Sequence, residues 1–154
     1  MSNSLETVCR ERAEWRALGR RVVFTNGCFD LLHPGHVALL EAARQLGDVL
    51  VVGLNSDASV RRLKGAGRPI VPGPERAETL LATEPVDRVI IYEQDTPLEV
   101  ITALLPDVLV KGADWAPGAI VGSDVVEAAG GRVECIELLP GRSTSGLVVR
   151  IQRP

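Results

Sequence analysis

The chain has 154 residues, a net charge of −3 and a hydrophobic fraction of 45%. This length fits one domain with a hydrophobic core, and the weak negative charge argues against a general nucleic-acid-binding surface. No apolar run reaches the roughly 18 residues that a membrane-spanning helix needs, so no membrane partner is expected. Three widely spaced cysteines, Cys9, Cys28 and Cys135, and a polar N-terminus without a signal-peptide pattern favour a reducing cytoplasm.

Helical and apolar segments alternate along the chain. A first helix is predicted at residues 4–18, so that an N-terminal helix (residues 1–19) precedes one domain (residues 20–154). Short apolar runs predict five strands, at residues 21–25, 49–54, 88–92, 108–111 and 132–136. Further helices are predicted at residues 35–46, 56–63, 74–82, 97–105 and 123–129, and from Ser143 or Thr144 to about residue 151.

This alternation predicts an α/β fold with a parallel, doubly wound sheet of five strands. Aromatic residues make up only 3% of the chain, so the core must be branched and aliphatic, as buried parallel strands prefer. Ligands of such sheets bind beyond the carboxyl ends of the strands. Thr96-Pro97-Leu98-Glu99 has the pattern of a capping box at the start of a helix. Residues 65–74, rich in Gly and Pro, are expected to form a mobile loop.

Both histidines of the chain, His33 and His36, follow the first predicted strand and the turn Thr25-Asn26-Gly27. A helix is predicted to begin between them, and its free N–H groups and positive dipole end would attract an anion. The imidazoles could then donate hydrogen bonds to phosphate oxygens. Two alternatives remain open from the residues alone: structural or solvated imidazoles, and a zinc site formed by Cys28 with the two histidines.

The segment "FTNGCFDLLHPGH" resembles the H-x-G-H signature of the nucleotidyltransferase superfamily, in its cytidylyltransferase-like branch. Three later segments resemble that branch in the same order: "LKGAGRPIVPGPERAETLLA", "DVLVKGADW" and "GRSTSGLVVRI". As a set they most resemble the heptose 1-phosphate adenylyltransferases, the adenylyltransferase domain of ADP-heptose synthase. The resemblance covers residues 20–151 and implies a Rossmann-like single domain.

The resemblance implies transfer of AMP from ATP to D-glycero-β-D-manno-heptose 1-phosphate, which yields ADP-heptose and pyrophosphate. Mg²⁺ would arrive on the nucleotide phosphates rather than in a cage of protein ligands. Another small nucleotidyltransferase, of the glycerol-3-phosphate cytidylyltransferase or phosphopantetheine adenylyltransferase type, stays an alternative, as does a nucleotide-binding module without catalysis. A nicotinamide-dependent enzyme is disfavoured because no G-x-G-x-x-G follows the first strand. The oligomeric state is left open, and a homo-oligomer is compatible with the N-terminal helix.

The motifs assign candidate site residues. Catalytic roles go to His33, His36 and Lys64. Nucleotide binding is assigned to Thr25, Asn26, Gly27, Phe29, His33, His36, Lys111, Asp114, Ser143, Thr144 and Ser145. Binding of the second substrate is assigned to Asp30, Lys64, Arg68 and Arg142.

Two positions depart from the pattern of the family. Ala113 stands where the KGGD signature has its second glycine, and Arg142 stands where a cysteine usually precedes Ser-Thr. These changes bear on contacts to the nucleotide and to the sugar phosphate. Bifunctional members of the family also carry an N-terminal sugar kinase domain, and we expect this chain to be the stand-alone form.

Overall fold

The computed structural model describes residues 2–112, 120–140 and 147–152. The strands in this part of the chain are β1 (Val22–Gly27), β2 (Val49–Asn55), β3 (Arg88–Tyr92), β4 (Val108–Lys111), β5 (Arg132–Pro140) and β6 (Leu147–Gln152). The helices are α1 (Leu5–Ala17), α2 (Pro34–Arg44), α3 (Asp57–Lys64), α4 (Gly73–Ala82), α5 (Leu98–Leu104) and α6 (Ser123–Ala128). The five predicted strands and the first six predicted helices therefore lie close to their predicted positions. Thr25-Asn26-Gly27, predicted as a turn, instead forms the end of β1.

The strands form one sheet in the order β3-β2-β1-β4-β5-β6. The first five are parallel, which confirms the predicted fold class, and β6 pairs with β5 in antiparallel fashion. The prediction of a final helix, from Ser143 or Thr144 to about residue 151, was wrong from residue 147 onward, where the chain forms β6, and its earlier residues lie outside the described part of the chain. The β6 segment, Leu-Val-Val-Arg-Ile-Gln, is rich in β-branched residues, and β5 continues to Pro140 to offer it a partner strand.

Helices cover both faces of the sheet, as the doubly wound prediction required. On one face, α1, α5 and α6 contribute Trp15, Ile101 and Val126 to a core with alternate strand residues. On the other face, α2 and α4 contribute Leu40 and Leu80. All seven residues of β2 are buried, because its two faces are packed against helices.

Aspartates secure the amino ends of the strands. The carboxylate of Asp107 accepts the Val22 N–H at 2.8 Å and forms an ion pair with the buried guanidinium of Arg12 at 3.1 Å. Asp48 accepts the N–H of Arg21 at 2.7 Å. In the same way, Asp87 accepts an N–H from the second residue of β2 at 2.8 Å. Each carboxylate therefore satisfies a strand-end donor that would otherwise need water.

The start of α5 differs from the prediction. Pro97 precedes the first helical residue, Leu98, whose N–H lies 3.5 Å from Thr96 Oγ1. The carboxylate of Glu99 instead accepts a hydrogen bond from Gln94 Nε2 at 2.8 Å. The predicted capping box was therefore wrong, since Glu99 finds a partner outside the helix. Within the described residues, no helix is long and apolar enough to span a membrane.

Candidate active site

The order of the strands reverses between β1 and β4, and a cleft of about 680 Å³ opens there at the carboxyl edge of the sheet. A crevice at such a switch point is where open α/β sheets bind ligands. The cleft is lined by Asn26, Gly27, Cys28, Phe29, Asp30, Leu31, His33, His36, Leu39, Lys64, Arg68, Lys111, Gly112 and Ile120.

The turn after β1 has a constrained shape. Phe29 adopts a left-handed backbone conformation with φ 44°, which is rare for a residue with a side chain. Its ring folds back over Gly27, where an added Cβ would come within 3.0 Å of the ring. The buried guanidinium of Arg76 holds the turn in place, since its Nη1 donates to the carbonyl of Cys28 at 2.6 Å and to that of Asn55 at 2.9 Å. A glycine and a buried arginine thus define this wall of the cleft.

The two histidines cap the start of α2 reciprocally. The Gly35 N–H donates to His33 Nδ1 at 3.1 Å, and the His33 N–H donates to His36 Nδ1 at 3.3 Å. Pro34 occupies the first helical position, where its missing N–H costs nothing. The Pro-Gly pair brings the two imidazoles together, with ring centroids 3.7 Å apart. The capping box, which usually pairs Ser or Thr with Glu, is here built from two histidines.

The N–H groups at the start of α2 are engaged within the turn. The Gly35 N–H is bound by His33, and the N–H groups of His36 and Val37 both donate to the His33 carbonyl, at 2.9 and 3.2 Å. The expectation of free helix N–H groups at this position was therefore wrong for this conformation. Donors to an anion here must come from the imidazoles, aided by the helix dipole.

The hydrogen bonds assign the tautomer of both rings. Because Nδ1 accepts a backbone N–H in each histidine, a neutral ring carries its hydrogen on Nε2. Burial lowers the pKa of His36 below its ordinary value of 6.5, and the neighbouring His33 and Lys64 lower it further, against a backbone hydrogen bond with Leu31. His36 is therefore a neutral Nε2–H donor near pH 7.

The loop between α3 and α4 is fastened to the turn by Asp30. The carboxylate of Asp30 accepts the N–H groups of Ile70 and Val71, each at 2.9 Å from Oδ1, and the Arg68 guanidinium at 3.1 Å from Oδ2. Burial alone would raise the pKa of Asp30, but these hydrogen bonds outweigh it and hold the pKa below its ordinary value. Asp30 is thus an ionised tether that brings Arg68 to the wall of the cleft.

The structure brings together most of the predicted site residues. The cleft is lined by Asn26, Gly27, Phe29, Asp30, His33, His36, Lys64, Arg68 and Lys111, and their roles stay predictions. Thr25 does not line it, because the residue is buried and its Oγ1 donates to the Val110 carbonyl at 3.1 Å. The remaining predicted residues lie outside the described part of the chain: Asp114, Arg142, Ser143, Thr144 and Ser145.

Two groups behind the cleft received no role from the sequence. Arg76 is buried inside a helical pattern, and its partners are mostly backbone carbonyls, which no motif displays. Tyr92 is the only tyrosine of the chain and is the last residue of β3, beside the cleft. Its place at the carboxyl end of a predicted strand could have marked it as a residue near the site. Among the described residues, no group of three His, Cys, Asp or Glu side chains could hold a metal ion. The zinc alternative with Cys28 therefore gains no support.

Comparison with known proteins agrees with this geometry. Residues 24–141 match the family model described as Cytidylyltransferase-like. The chain is 58% identical over 136 residues to the bifunctional protein HldE of Syntrophotalea carbinolica, covering 88% of this chain and 28% of that one. It is 57% identical over 147 residues to HldE of Azorhizobium caulinodans, covering 96% of this chain and 31% of that one. The chain thus spans about a third or less of the length of these relatives.

Solved structures show the same architecture. A lipopolysaccharide core biosynthesis protein from Thermoplasma volcanium superposes with a TM-score of 0.65 at 26% identity, covering 80% of this chain and 99% of that one. A protein of unknown function from Archaeoglobus fulgidus shares the fold, with a TM-score of 0.56 at 22% identity, covering 77% of this chain and 99% of that one. The chain belongs to the cytidylyltransferase-like family and is a nucleotidyltransferase.

Proposed function

We propose that the protein transfers AMP from ATP to D-glycero-β-D-manno-heptose 1-phosphate, releasing pyrophosphate and forming ADP-heptose. The high identity to proteins named HldE supports this choice of substrates within the family. We also propose the cytoplasm as its compartment, in keeping with the free thiols of Cys9, Cys28 and Cys135. ADP-heptose made there would supply lipopolysaccharide or related surface glycans.

The observation that carries the proposal is the set of hydrogen-bond donors around one cleft. Two stacked imidazoles, the ammonium groups of Lys64 and Lys111, and the guanidinium of Arg68 all line it. Both proposed reactants are anions and repel each other, so a site that joins them needs positive charge and N–H donors. Asp30 is the single carboxylate on the described lining, and it is already bound by two N–H groups and a guanidinium.

The proposed reaction requires no nucleophilic side chain. A phosphate oxygen of the sugar 1-phosphate attacks the α-phosphorus of ATP and forms the new P–O bond. The bond from the α-phosphorus to the bridging oxygen breaks, and its electron pair leaves with pyrophosphate. In this account the Nε2–H groups of His33 and His36 donate to phosphate oxygens whose charge increases in the transition state. Lys64 and Arg68, from α3 and the loop after it, bind the sugar phosphate.

Magnesium enters this scheme as part of the substrate MgATP. The described lining holds no pair of carboxylates that could cage a divalent ion, and Asp30 is engaged by the loop. Phosphate oxygens of the nucleotide would hold Mg²⁺. When bound in this way, the ion would neutralise charge on the leaving pyrophosphate, and the chain itself would position the two reactants.

A substrate panel tests the proposal. The purified protein is incubated with Mg²⁺, one of ATP, CTP, GTP or UTP, and one of heptose 1-phosphate, glycerol 3-phosphate or phosphopantetheine, and pyrophosphate release is measured. We expect ATP with heptose 1-phosphate to give the highest kcat/KM. A preference for CTP with glycerol 3-phosphate, or for phosphopantetheine, would replace the proposed substrates and keep the family. Absence of pyrophosphate release from every pair would contradict transfer at this site.

A further inference from the structure

We propose that Tyr92 is a positioning residue that orients Asn26 and, through it, the Lys111 ammonium at the nucleotide-binding edge of the cleft. The inference rests on the proposed role of Lys111 in nucleotide binding. Asn26 and Lys111 line the cleft, whereas Tyr92 lies behind it and is buried. Tyr92 therefore acts on the site only through its neighbours.

A hydrogen-bonded chain crosses the carboxyl edge of the sheet. Lys111 Nζ lies 3.4 Å from Asn26 Oδ1, and Asn26 Nδ2 donates to the Tyr92 hydroxyl at 3.3 Å. The hydroxyl donates to Asn55 Oδ1 at 3.0 Å, and Asn55 Nδ2 donates to Ser59 Oγ at 3.0 Å. The chain of bonds thus joins the ends of β4, β1, β3 and β2 and finishes in α3.

The ring of Tyr92 reaches β1 because a glycine makes room for it. β3 and β1 are separated by β2, so their backbones stand about 10 Å apart. Gly53 of β2 lies opposite Asn26 in register, and a Cβ added there would come within 2.6 Å of the Phe24 ring and within 3.3 Å of the Tyr92 ring, so the glycine leaves room for both. A long side chain crossing over a glycine is the geometry that lets a β3 hydroxyl bind a β1 amide.

The Tyr92 hydroxyl can orient the Asn26 amide because of the direction of its two hydrogen bonds. A tyrosine hydroxyl has one hydrogen, and here it goes to Asn55 Oδ1, so the oxygen can only accept from Asn26. This acceptor keeps the NH₂ of Asn26 towards β3 and its Oδ1 towards Lys111. Without the hydroxyl, the Asn26 NH₂ loses this acceptor, and its remaining contact with the Lys111 ammonium holds the amide less firmly. The acceptor facing Lys111 is then less well fixed in place.

The test is a double-mutant cycle on nucleotide affinity, which needs no turnover. The dissociation constant of a non-hydrolysable MgATP analogue is measured by calorimetry for wild type, Tyr92→Phe, Lys111→Met and the double variant. We expect Tyr92→Phe to weaken binding about fivefold in the wild-type background and less than about twofold beside Lys111→Met, because interacting residues are not additive. An equal factor in both backgrounds, or no loss from Tyr92→Phe alone, would overturn the inference.

A control variant separates the role of Tyr92 from a loss of stability, and the choice of nucleotide separates it from a failure of the substrate proposal. Asp107→Ala, at the opposite end of the sheet, lowers stability without touching the chain of bonds, so its nucleotide affinity should equal that of wild type at a temperature where both are folded. A purely structural Tyr92 would lower Tm and shift affinity equally in both backgrounds. If the wild type binds another nucleotide in the substrate panel, the cycle uses the analogue of that nucleotide. The substrate proposal would then fail while the role of Tyr92 is still tested.

Discussion

The two ends of the sheet are both polar, but their polar groups have different tasks. At the amino end, Asp48, Asp87 and Asp107 each accept a backbone N–H at or just before the start of a neighbouring strand, and arginines pair with Asp87 and Asp107. At the carboxyl end, His33 and His36 use one ring nitrogen to cap α2 while both rings line a cleft. The polar groups described at the amino end are therefore structural, whereas the imidazoles at the carboxyl end also face the ligand edge of the sheet.

The two ends of the sheet should also differ in what they contribute, the amino end to folding stability and the carboxyl end to catalysis. A carboxylate that satisfies a strand donor contributes to folding, and its removal leaves that donor unpaired. An imidazole that donates to phosphate oxygens contributes chiefly when charge develops on them. Substitutions at the amino end should therefore change Tm and leave kcat/KM alone, whereas substitutions of the imidazoles in the cleft should have their largest effect on kcat/KM.

The largest effect is expected for His36→Ala. Removing the imidazole should lower kcat by about 10²-fold or more and weaken nucleotide binding much less, because its hydrogen bond strengthens in the transition state. Steady-state pyrophosphate release and calorimetric nucleotide binding measure the two quantities. A loss of affinity with kcat unchanged would make His36 a ground-state binding residue, and unchanged kcat together with unchanged affinity would remove it from the mechanism.

Asp107→Ala is the matched change at the other end of the sheet. It leaves the Val22 N–H and the buried Arg12 guanidinium without this partner, so we expect a loss of about 1–3 kcal/mol in the free energy of unfolding. Urea denaturation gives the stability, and kcat/KM measured below the transition should match wild type. A kinetic defect larger than that of His36→Ala would abolish the distinction between the two ends.

Lys64→Ala tests which of the two substrates this lysine binds. The ammonium at the end of α3 is proposed to bind the sugar phosphate, so its loss should raise the KM for that substrate about tenfold and leave nucleotide affinity near wild type. Arg61→Ala, on the exposed face of the same helix, is the control and should be neutral. Normal kinetics of Lys64→Ala would show that this lysine takes no part.

The smallest expected effect is a dependence of stability on pH. The folded-state pKa of His36 lies below the ordinary 6.5, so the unfolded chain binds more protons in that interval. The stability contributed by neutral His36 is present above 6.5 and is lost as the pH falls through 6.5 towards the folded pKa. Urea midpoints followed across this range should fall less steeply in His36→Asn than in wild type. Parallel slopes would contradict the lowered pKa.

Local patterns predicted much of this molecule, because its helices and parallel strands follow from apolar periodicity. The exception among the elements is β6, most of which fell within the predicted final helix. Its strand conformation depends on pairing with β5, which is not a local property. Within the site, the spacing of His33 and His36 predicted the start of α2 between them. Their mutual capping could not be predicted, because it depends on the orientation of both rings. The same holds for Arg76 and Tyr92, whose partners are distant in sequence.

The chain contains two histidines and both line the cleft, so their imidazole NMR signals report directly on the central claim. In ¹⁵N-labelled protein at neutral pH, we expect the Nε2–H tautomer for both rings. Both sets of signals should shift when a non-hydrolysable MgATP analogue is added, while the amide signal of Val22, held by Asp107 at the amino end, stays in place. Nδ1–H tautomers, or histidine signals that do not respond to bound nucleotide, would contradict the assignment of this edge of the sheet as the catalytic one.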